Sequence, residues 1–595
     1  MSADHSISWL VMCGLCLAVL AAVVIGSYGV RLSRTTSDFL VASRRVSARW
    51  NAAAISGEYL SVASFLGISG LVAKYGFDAL WYPVGFTAGY VSLLLFVAAP
   101  LRRSGVYTVP DFAEFRLKSA RVRACATLVV VVICVLYLVV QLQGAGLTLG
   151  IVLGVPNWVG AVAVGVIVIG NVVGGGMRSV TFVQAFQYWL KLTALAIPVV
   201  ALSVHFFSDR QPLDIASPPL VSEPTTVQVS SPVEVQIPEP VVVRGPGTVD
   251  GVEVDGEVRL DARRYYLGPG LAVTIAAGSA VPVVIDAPAS GADWLAPGQA
   301  FGSEHPMYQV YSLIVATFLG TLGLPHVLVR FYTNPDGRTA RRTALAVLAL
   351  LTVFYLLTVI LGVFARLYVP HLLTTGISDV AVLVLPEAVF SGLGGQLLAS
   401  LAAAGALAAF LSTSSGLLVC TAGVLSTDVF RGRVRSFRIA AAAAGALPVG
   451  LAVAVSNSAS ASSLDISRTV GIVFAVTAST LCPFLVLGIW WRGLTARGAT
   501  AGMIVGGTLA GAAAITAVFG GEKSAGWNGW PAAVITFPAA VTVPMAFGVM
   551  FVVSRLTRDQ VPGNVGQIFC RMHAPEGFAD PRSALEPRNL DSTRG

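Results

Sequence analysis

The chain has 595 residues, of which 55% are hydrophobic and 11% are charged, and its mean hydropathy is +0.78. Soluble domains carry about 25% charged residues, so this composition excludes a soluble globular protein and predicts an all-α polytopic membrane protein. The formal charge of +8 lies mostly in the loops and indicates topology, not a nucleic-acid partner. Most of the seven cysteines lie in apolar runs, which excludes a disulfide scaffold.

About thirteen apolar runs predict transmembrane helices, because a bilayer crossing needs roughly 20 apolar residues. The first run is not predicted to be a cleaved signal peptide, since no basic segment precedes it. In chain order the predicted spans cover 8–30, 51–73, 79–100, 124–150, 156–175, 183–207, 307–331, 343–367, 393–425, 437–456, 467–491, 499–519 and 531–554.

The charges of the loops predict the orientation. Most of the 38 Lys and Arg residues fall in alternate loops and in the C-terminal tail, and such loops face the cytoplasm. The sequence therefore predicts a multi-pass protein of the cell (inner or plasma) membrane, with its N-terminus outside and its C-terminus in the cytoplasm.

Two polar segments interrupt or follow the apolar runs. Segment 208–306 is acidic and rich in proline, and stretches such as 252–260 alternate apolar and polar residues. This alternation predicts a small extracytoplasmic β-rich insert. The tail 557–595 is polar and is predicted to be disordered.

The order of the spans predicts two inverted repeats. After the first helix and its loop (1–50), segment 51–207 holds five spans and segment 307–491 holds five more; two peripheral helices follow in 492–556. An odd number of spans per repeat inserts the second repeat upside down. The opening span of each repeat contains Gly or Pro, which predicts two broken helices at matching positions, as in many secondary transporters.

The ninth span adds hydroxyl groups to this arrangement. Ala409, Ser412 and Thr413 have the i, i+3, i+4 spacing of one helical face. A dehydrated alkali cation needs oxygen ligands, and carbonyls freed by the first break, around Gly57 and Leu60, would complete the set. The alternative is that the Ser and Thr hydroxyls bond back to preceding carbonyls of their own helix.

Five stretches resemble the sodium:solute symporter family, and within it the cation/acetate (monocarboxylate) branch. They are Ser-Asp-Phe-Leu-Val-Ala-Ser-Arg at 37–44, the glycine-containing run at 57–70, Leu-Arg-Arg-Ser-Gly-Val-Tyr-Thr-Val-Pro-Asp-Phe at 101–112, Gly-Leu-Pro-His-Val-Leu-Val-Arg-Phe-Tyr-Thr at 323–333, and Phe-Leu-Ser-Thr at 410–413. The resemblance implies a LeuT-like 5+5 fold, alternating access and Na⁺-coupled import of a small monocarboxylate such as acetate.

The resemblance also implies site residues. The family's shared sodium site falls on the backbone oxygens of Gly57, Leu60 and Ala409 and on the hydroxyls of Ser412 and Thr413. The solute in such proteins lies beside the two broken helices, where half-helix N-termini suit a carboxylate. The candidate solute residues are Ser61, Phe65, Gln143, Thr321 and Gly323.

The sequence departs from the family at two positions. Gln184 stands where many members have an acidic residue, so a single coupling ion is expected. Leu147 stands where the acetate branch commonly has a lysine, which removes a countercharge for the solute.

Glu58, His326 and Arg330 are ionisable residues inside the predicted spans 51–73 and 307–331. Glu58 is interpreted as a coupling group that attracts a cation or carries a proton; the alternative is a carboxylate that faces a water-filled vestibule. His326 is expected to be a hydrogen-bonded structural residue, and Arg330 is expected to reach the cytoplasmic surface.

The predicted function is Na⁺-coupled symport of a small monocarboxylate, with the lipid bilayer as the other partner and no cofactor besides the coupling ion. The alternatives are H⁺ coupling, another organic solute or, as minor possibilities, a channel or a sensor. An enzyme is not expected, because the chain has no catalytic metal or nucleotide motif.

Overall fold

The computed structural model describes residues 9–32, 47–209, 218–229, 232–254, 256–299, 305–331, 337–429, 434–456, 466–519 and 529–574. Within these residues a helical bundle carries one small β unit. The family-like stretch at 37–44 lies outside the described residues.

The helices of the first half lead from the N-terminus to the insert. They are α1 Trp9–Leu32, α2 Ala48–Tyr59, α3 Ile68–Tyr75, α4 Trp81–Ser92, α5 Ala98–Arg103, α6 Val109–Leu117, α7 Ala120–Leu153 and α8 Asn157–Asp209. A π-helical turn, Ala63–Gly67, precedes α3, and another, Leu93–Val97, joins α4 to α5.

The helices of the second half follow a short helix in the insert, α9, which spans Gly291–Leu295. They are α10 Pro306–Gly323, α11 Pro325–Phe331, α12 Gly337–Tyr368, α13 Leu372–Thr375, α14 Ala381–Val389, α15 Gly392–Asp428, α16 Val434–Ser456, α17 Ile466–Trp490, α18 Ala496–Phe519, α19 Trp530–Thr536, α20 Ala539–Leu556 and α21 Val565–His573.

Ten helical segments of the described chain are long and apolar enough to cross a membrane, or eleven if one bent pair is counted as a span. The expected count of thirteen is therefore not confirmed. Part of the difference lies in α8, where two predicted spans form one helical segment with a kink at Gly176 (φ 60°, ψ −164°). A glycine kink turns the chain there without a loop between the two parts.

Both predicted breaks are confirmed. Helix α2 ends at Tyr59, Leu60 leaves helical geometry (φ −75°, ψ 85°), and the helix resumes at Val62. In the second repeat, Leu324 is extended (φ −61°, ψ 109°) between α10 and α11, whose axes differ by 42°.

The described residues between α8 and α10 form nine strands in two antiparallel sheets. The strands are β1 Thr225–Gln228, β2 Val233–Gln236, β3 Val241–Arg244, β4 Gly247–Val249, β5 Val252–Val254, β6 Glu257–Leu260, β7 Arg264–Leu267, β8 Ala272–Ile275 and β9 Val283–Val284. The strand orders are β1-β8-β3-β6 in one sheet and β5-β4-β7-β2-β9 in the other. Alternate valines, among them Val235 and Val243, are fully buried between the sheets, as period-two patterning requires.

Asp286 fixes this insert to the bundle. Its Oδ2 accepts a hydrogen bond from Tyr75 at 2.5 Å and lies 3.3 Å from Lys74 Nζ and 3.5 Å from Arg468 Nη1. Burial alone would raise the pKa of Asp286, but the two cations and the tyrosine hydroxyl hold that pKa below its ordinary value. The Trp294 indole also donates to the carbonyl of Val72 at 2.8 Å.

The expectation of a wholly disordered tail is wrong for its first part. Helix α21 is amphipathic, and its residues Ile568, Phe569 and Met572 are buried. The Arg116 guanidinium lies over the Phe569 ring, 5.1 Å from its centre. Apolar residues at i, i+1 and i+4 supply the face that docks this helix. Residues 575–595 lie outside the described part of the chain.

Candidate cation and solute site

The first break redirects the backbone hydrogen bonds of its helix. In a continuous helix the Ser61 amide would donate to the Gly57 carbonyl; here it donates to Tyr59 O at 2.9 Å. The amide of Val62 points instead to the side-chain oxygen of Gln141, at 3.5 Å. The Gly57 carbonyl is thereby released from the helix.

Helix α15 places its predicted ligands beside this break. Ala409, Ser412 and Thr413 are fully buried. The Ser412 hydroxyl donates to Ala409 O at 3.1 Å, and the Thr413 hydroxyl donates to the backbone oxygen of Glu58 at 2.7 Å. The five residues proposed as cation ligands thus come together, but the Ser412 hydroxyl also bonds back within its own helix, as the alternative expected.

Lys191 of α8 projects into this cluster, and the sequence reasoning missed it. Its ammonium nitrogen lies 2.6 Å from Gly57 O, 2.7 Å from Leu60 O and 3.0 Å from the Ser412 hydroxyl. The side chain is fully buried. The signal was present in the sequence, because Lys191 is the one Lys or Arg inside the predicted span 183–207, and an ionisable residue within a span is a functional candidate by default.

These contacts decide how well the cluster fits an alkali ion. An ammonium has three N–H groups and no acceptor, and three oxygens of the cluster accept from Lys191. A Na⁺ ion would have to use the same oxygens next to a fixed positive charge. The cluster as arranged therefore has no place for a Na⁺ ion in addition to the Lys191 ammonium.

A buried ion pair flanks the ammonium. The Glu58 carboxylate accepts from Arg330 Nε, and the side chains of both residues are at most 2% exposed. Arg330 also donates to the Gln184 side-chain oxygen and, at 2.7 Å, to the hydroxyl of Thr181. Gly416 provides the space for this carboxylate, since a Cβ there would meet Glu58 Oε1 at 2.1 Å.

Arg330 does not reach the surface as expected, since its side chain is 1% exposed and donates to the buried Glu58 carboxylate. Glu58 faces Arg330, which counts against the alternative of a water-filled vestibule, and its role as a coupling group stays a prediction. His326 is buried and its ring meets Tyr137 edge-on at 5.6 Å; the hydrogen bond expected for it is absent at Nδ1 among the described residues.

Four of the proposed solute residues lie at the two breaks. Ser61 and Phe65 follow the first break, and Thr321 and Gly323 precede the second; all four are buried. The Thr321 hydroxyl lies 3.1 Å from the hydroxyl of Tyr59 and so joins the two broken helices.

Gln143 does not join them. It is half-buried and lies two residues along α7 from Gln141, almost on the opposite face of that helix. Gln141 is fully buried and faces the break, and its Nε2 has no hydrogen-bond partner in the part of the chain that the structure describes. The two glutamines lie on different faces of α7, and the sequence pattern did not show which face meets the break.

The model of the sodium:solute symporter family matches residues 39–245 and 273–506. The chain belongs to the sodium:solute symporter family. Two similar proteins are also named as a symporter and a transporter. An uncharacterised symporter, YwcA, of Bacillus subtilis is 28% identical over 89% of this chain and 91% of its own length. A monocarboxylic acid transporter of Corynebacterium glutamicum is 28% identical over 94% of this chain and 91% of its own.

The fold has a counterpart among solved structures. A Na⁺-coupled sialic acid symporter in a substrate-bound, outward-open state matches with a TM-score of 0.57 and 14% identity, over 92% of this chain and 98% of that one. This likeness places the symporter in the LeuT-like fold that was predicted. Its multi-pass membrane location and its class, a transporter and not an enzyme, follow from the family and from the apolar helices, and family membership supports Na⁺ as the coupling ion.

Proposed function

We propose that this symporter carries a small monocarboxylate, such as acetate, into the cell by alternating access. The observation that carries the proposal is the Gln141 side-chain amide, which is buried and unbonded among the described residues and lies beside the point where the first broken helix resumes. An unbonded buried donor is costly, and an anion at this place would accept from it.

The surroundings favour a small anion. The helix that resumes at Val62 presents its positive dipole end at the break, and the Lys191 ammonium lies next to Leu60. Aromatic rings pack closely nearby, with Phe86 and Phe474 centred 4.8 Å apart. Such close packing favours a small solute over a large one.

The relative from Corynebacterium glutamicum, named a monocarboxylic acid transporter, supports the same solute class. A monocarboxylate anion and one monovalent cation that move together carry no net charge across the membrane. The ion's concentration gradient, and not the membrane potential, would then drive accumulation.

A second candidate is the same carrier without Na⁺ as its driver, with H⁺ as the alternative ion. The position of Lys191, which bonds to three oxygens of the predicted sodium site, favours this candidate.

Uptake of labelled acetate, propionate and pyruvate into proteoliposomes tests the function. A Na⁺ gradient and a pH gradient are imposed separately, with protein-free liposomes as the control. We expect at least one of the three acids to accumulate under one of the gradients. Equilibration of all three at the protein-free rate under both gradients would contradict the proposal.

The two glutamines of α7 provide a matched pair of variants for the solute site. We expect Gln141→Leu to raise the KM for the transported acid roughly tenfold or more, because a hydrogen bond to a charged group contributes about 1.5–3 kcal/mol. Gln143→Leu should leave KM within about twofold, because Gln143 lies on another face of the helix. Equal effects of both changes on KM would exclude Gln141 from the site.

We also propose that the N-terminus lies outside and the C-terminus in the cytoplasm, which places the insert outside the cell. The excess of Lys and Arg in alternate loops supports this orientation. Reporter proteins that are active on one side of the membrane only, fused to each terminus in turn, test it.

A further inference from the structure

The chain holds a cation of its own at the place where its family is expected to bind sodium. All three N–H groups of the Lys191 ammonium have an oxygen acceptor, at 2.6, 2.7 and 3.0 Å. Two of these acceptors are backbone carbonyls at the first break and the third is the Ser412 hydroxyl. This ammonium is satisfied in full without water or a solute ion.

The same oxygens are not available to a second cation. The Gly57 and Leu60 carbonyls point at Lys191, and the Thr413 hydroxyl donates its proton to Glu58 O at 2.7 Å. The Ser412 hydroxyl donates to Ala409 O. A Na⁺ ion placed among these groups would lie against the ammonium, with most of its ligands already engaged.

The local charge also opposes a second cation. Glu58 and Arg330 are the charged side chains that α2 and α11 present around Lys191 within the described residues, while α15 presents hydroxyls and carbonyls there. The charges of Glu58 and Arg330 cancel, so the Lys191 ammonium gives the cluster a net charge of +1. A bound Na⁺ would raise that charge to two in a buried environment, which is strongly unfavourable.

We propose that the ammonium of Lys191 takes the place of the coupling sodium ion between α2 and α15, so that this site does not bind Na⁺. The inference rests on the proposed function as a coupled carrier and deepens it, because it removes Na⁺ from the one site that the family resemblance assigns. The lysine holds the break of the first helix against α15, as a bound ion would.

Two variants of Lys191 separate the charge from the volume of the side chain. Lys191→Ala removes the ammonium and leaves space for a cation among the same oxygens. Lys191→Met also removes the charge but fills most of that space. The purified full-length proteins are compared by thermal unfolding in detergent, in 100 mM NaCl and in 100 mM choline chloride (about equal ionic strength).

We expect the wild type and Lys191→Met to unfold at the same temperature in both salts, and Lys191→Ala to gain several degrees in NaCl, because a ligand that binds only the folded state stabilises it. A shift by NaCl in the wild type that Ser412→Ala abolishes would overturn the proposal. A folded, monodisperse Lys191→Ala protein without any shift would do the same.

Transport by the wild type decides the matter if Lys191→Ala does not fold. At fixed pH and zero membrane potential, uptake of labelled acetate, propionate and pyruvate is compared in sodium-containing and choline-containing media. Initial rates within about twofold of each other support the proposal, and a tenfold or greater fall in choline overturns it. Absence of uptake in every medium counts against the proposed function, whereas the unfolding measurements still report on Lys191.

Discussion

The two broken helices of this symporter differ in what surrounds the break. At the first break, Lys191 and Gln141 direct polar groups at carbonyls and amides of the interrupted backbone. At the second break, Gly323 packs against Cys482, Thr477 and Leu481 of α17. We therefore expect the first break to take part in solute binding and the second break to act mainly as a bend.

The two breaks are nevertheless joined. Glu58, two residues before Leu60 at the first break, pairs with Arg330, six residues after Leu324 at the second break. The Tyr59 and Thr321 hydroxyls make a second link at 3.1 Å. We therefore expect a movement of one broken helix to be transmitted to the other during the proposed alternating access.

The largest expected effect comes from separating the two breaks. Glu58→Gln leaves the Arg330 guanidinium buried without its countercharge, and loss of one partner of such a pair costs about 3–5 kcal/mol of unfolding free energy. The thermal midpoint of the purified protein, with Glu114→Gln as the control, measures this effect. Glu114 pairs with Arg123 but is 45% exposed, so its loss should cost at most about 1 kcal/mol.

Replacing both charges tests the same link from the other direction. The double variant Glu58→Gln, Arg330→Met removes the guanidinium together with its countercharge, so it should be more stable than Glu58→Gln alone, in which that guanidinium is buried and unpaired. A double variant that is as unstable as the sum of its single variants would show that the pair does not act as a unit.

A matched glycine pair contrasts the two breaks themselves. In Gly57→Ala the new Cβ would lie 2.3 Å from the backbone oxygen of Gln184, whereas in Gly323→Ala the nearest atom, Cys482 N, would be 3.0 Å away. We expect Gly57→Ala to destabilise by about 1–3 kcal/mol and to lower uptake several-fold, and Gly323→Ala to have the smaller effect on both. The opposite ranking would mean that the second break is the more tightly constrained.

The smallest effect is expected where the insert meets the first broken helix. Since the pKa of Asp286 is held below its ordinary value, its contacts stabilise the insert at neutral pH. That contribution is lost as the pH falls below about 4 and through the lowered pKa of the folded state. Asp286→Asn should therefore speed amide hydrogen exchange around Trp294 at pH 7, by an amount that corresponds to about 1 kcal/mol.

The pH dependence distinguishes this contact from a general loosening of the insert. The exchange rates of the wild type and of Asp286→Asn should converge as the pH falls below about 4 and through the lowered pKa of Asp286. Glu257→Gln is the control, because its exposed pair with Arg244 should contribute little at any pH. A difference for Asp286→Asn that persists unchanged at low pH would exclude the charged contacts as its cause.

Features carried by local pattern could be predicted from the sequence. Gly and Pro in apolar runs marked both breaks, and the spacing of Ala409, Ser412 and Thr413 fixed one helical face that meets the first break. Alternation of apolar and polar residues marked stretches where the insert has strands. In each case the deciding interaction is between neighbours in the chain.

Features that depend on which helices meet could not be predicted. Lys191 lies 131 residues from Leu60, and Glu58 lies 272 from Arg330. Gln141 and Gln143 are two residues apart in the chain, and the rotation of α7 about its own axis decides which of them faces the first break. The count of thirteen spans is not confirmed for a related reason, because two predicted spans form one helical segment that turns at Gly176 without a loop between them.

The insert is attached to Val72, Lys74 and Tyr75, on the helix that follows the first break. A rigid β unit fastened to that helix would be carried along whenever the helix tilts during turnover. An antibody fragment that binds both the insert and a neighbouring loop would consequently slow transport without entering the bilayer. A fluorophore attached to the same unit would report the movement of that helix, and the label would contact neither the solute nor the lipid.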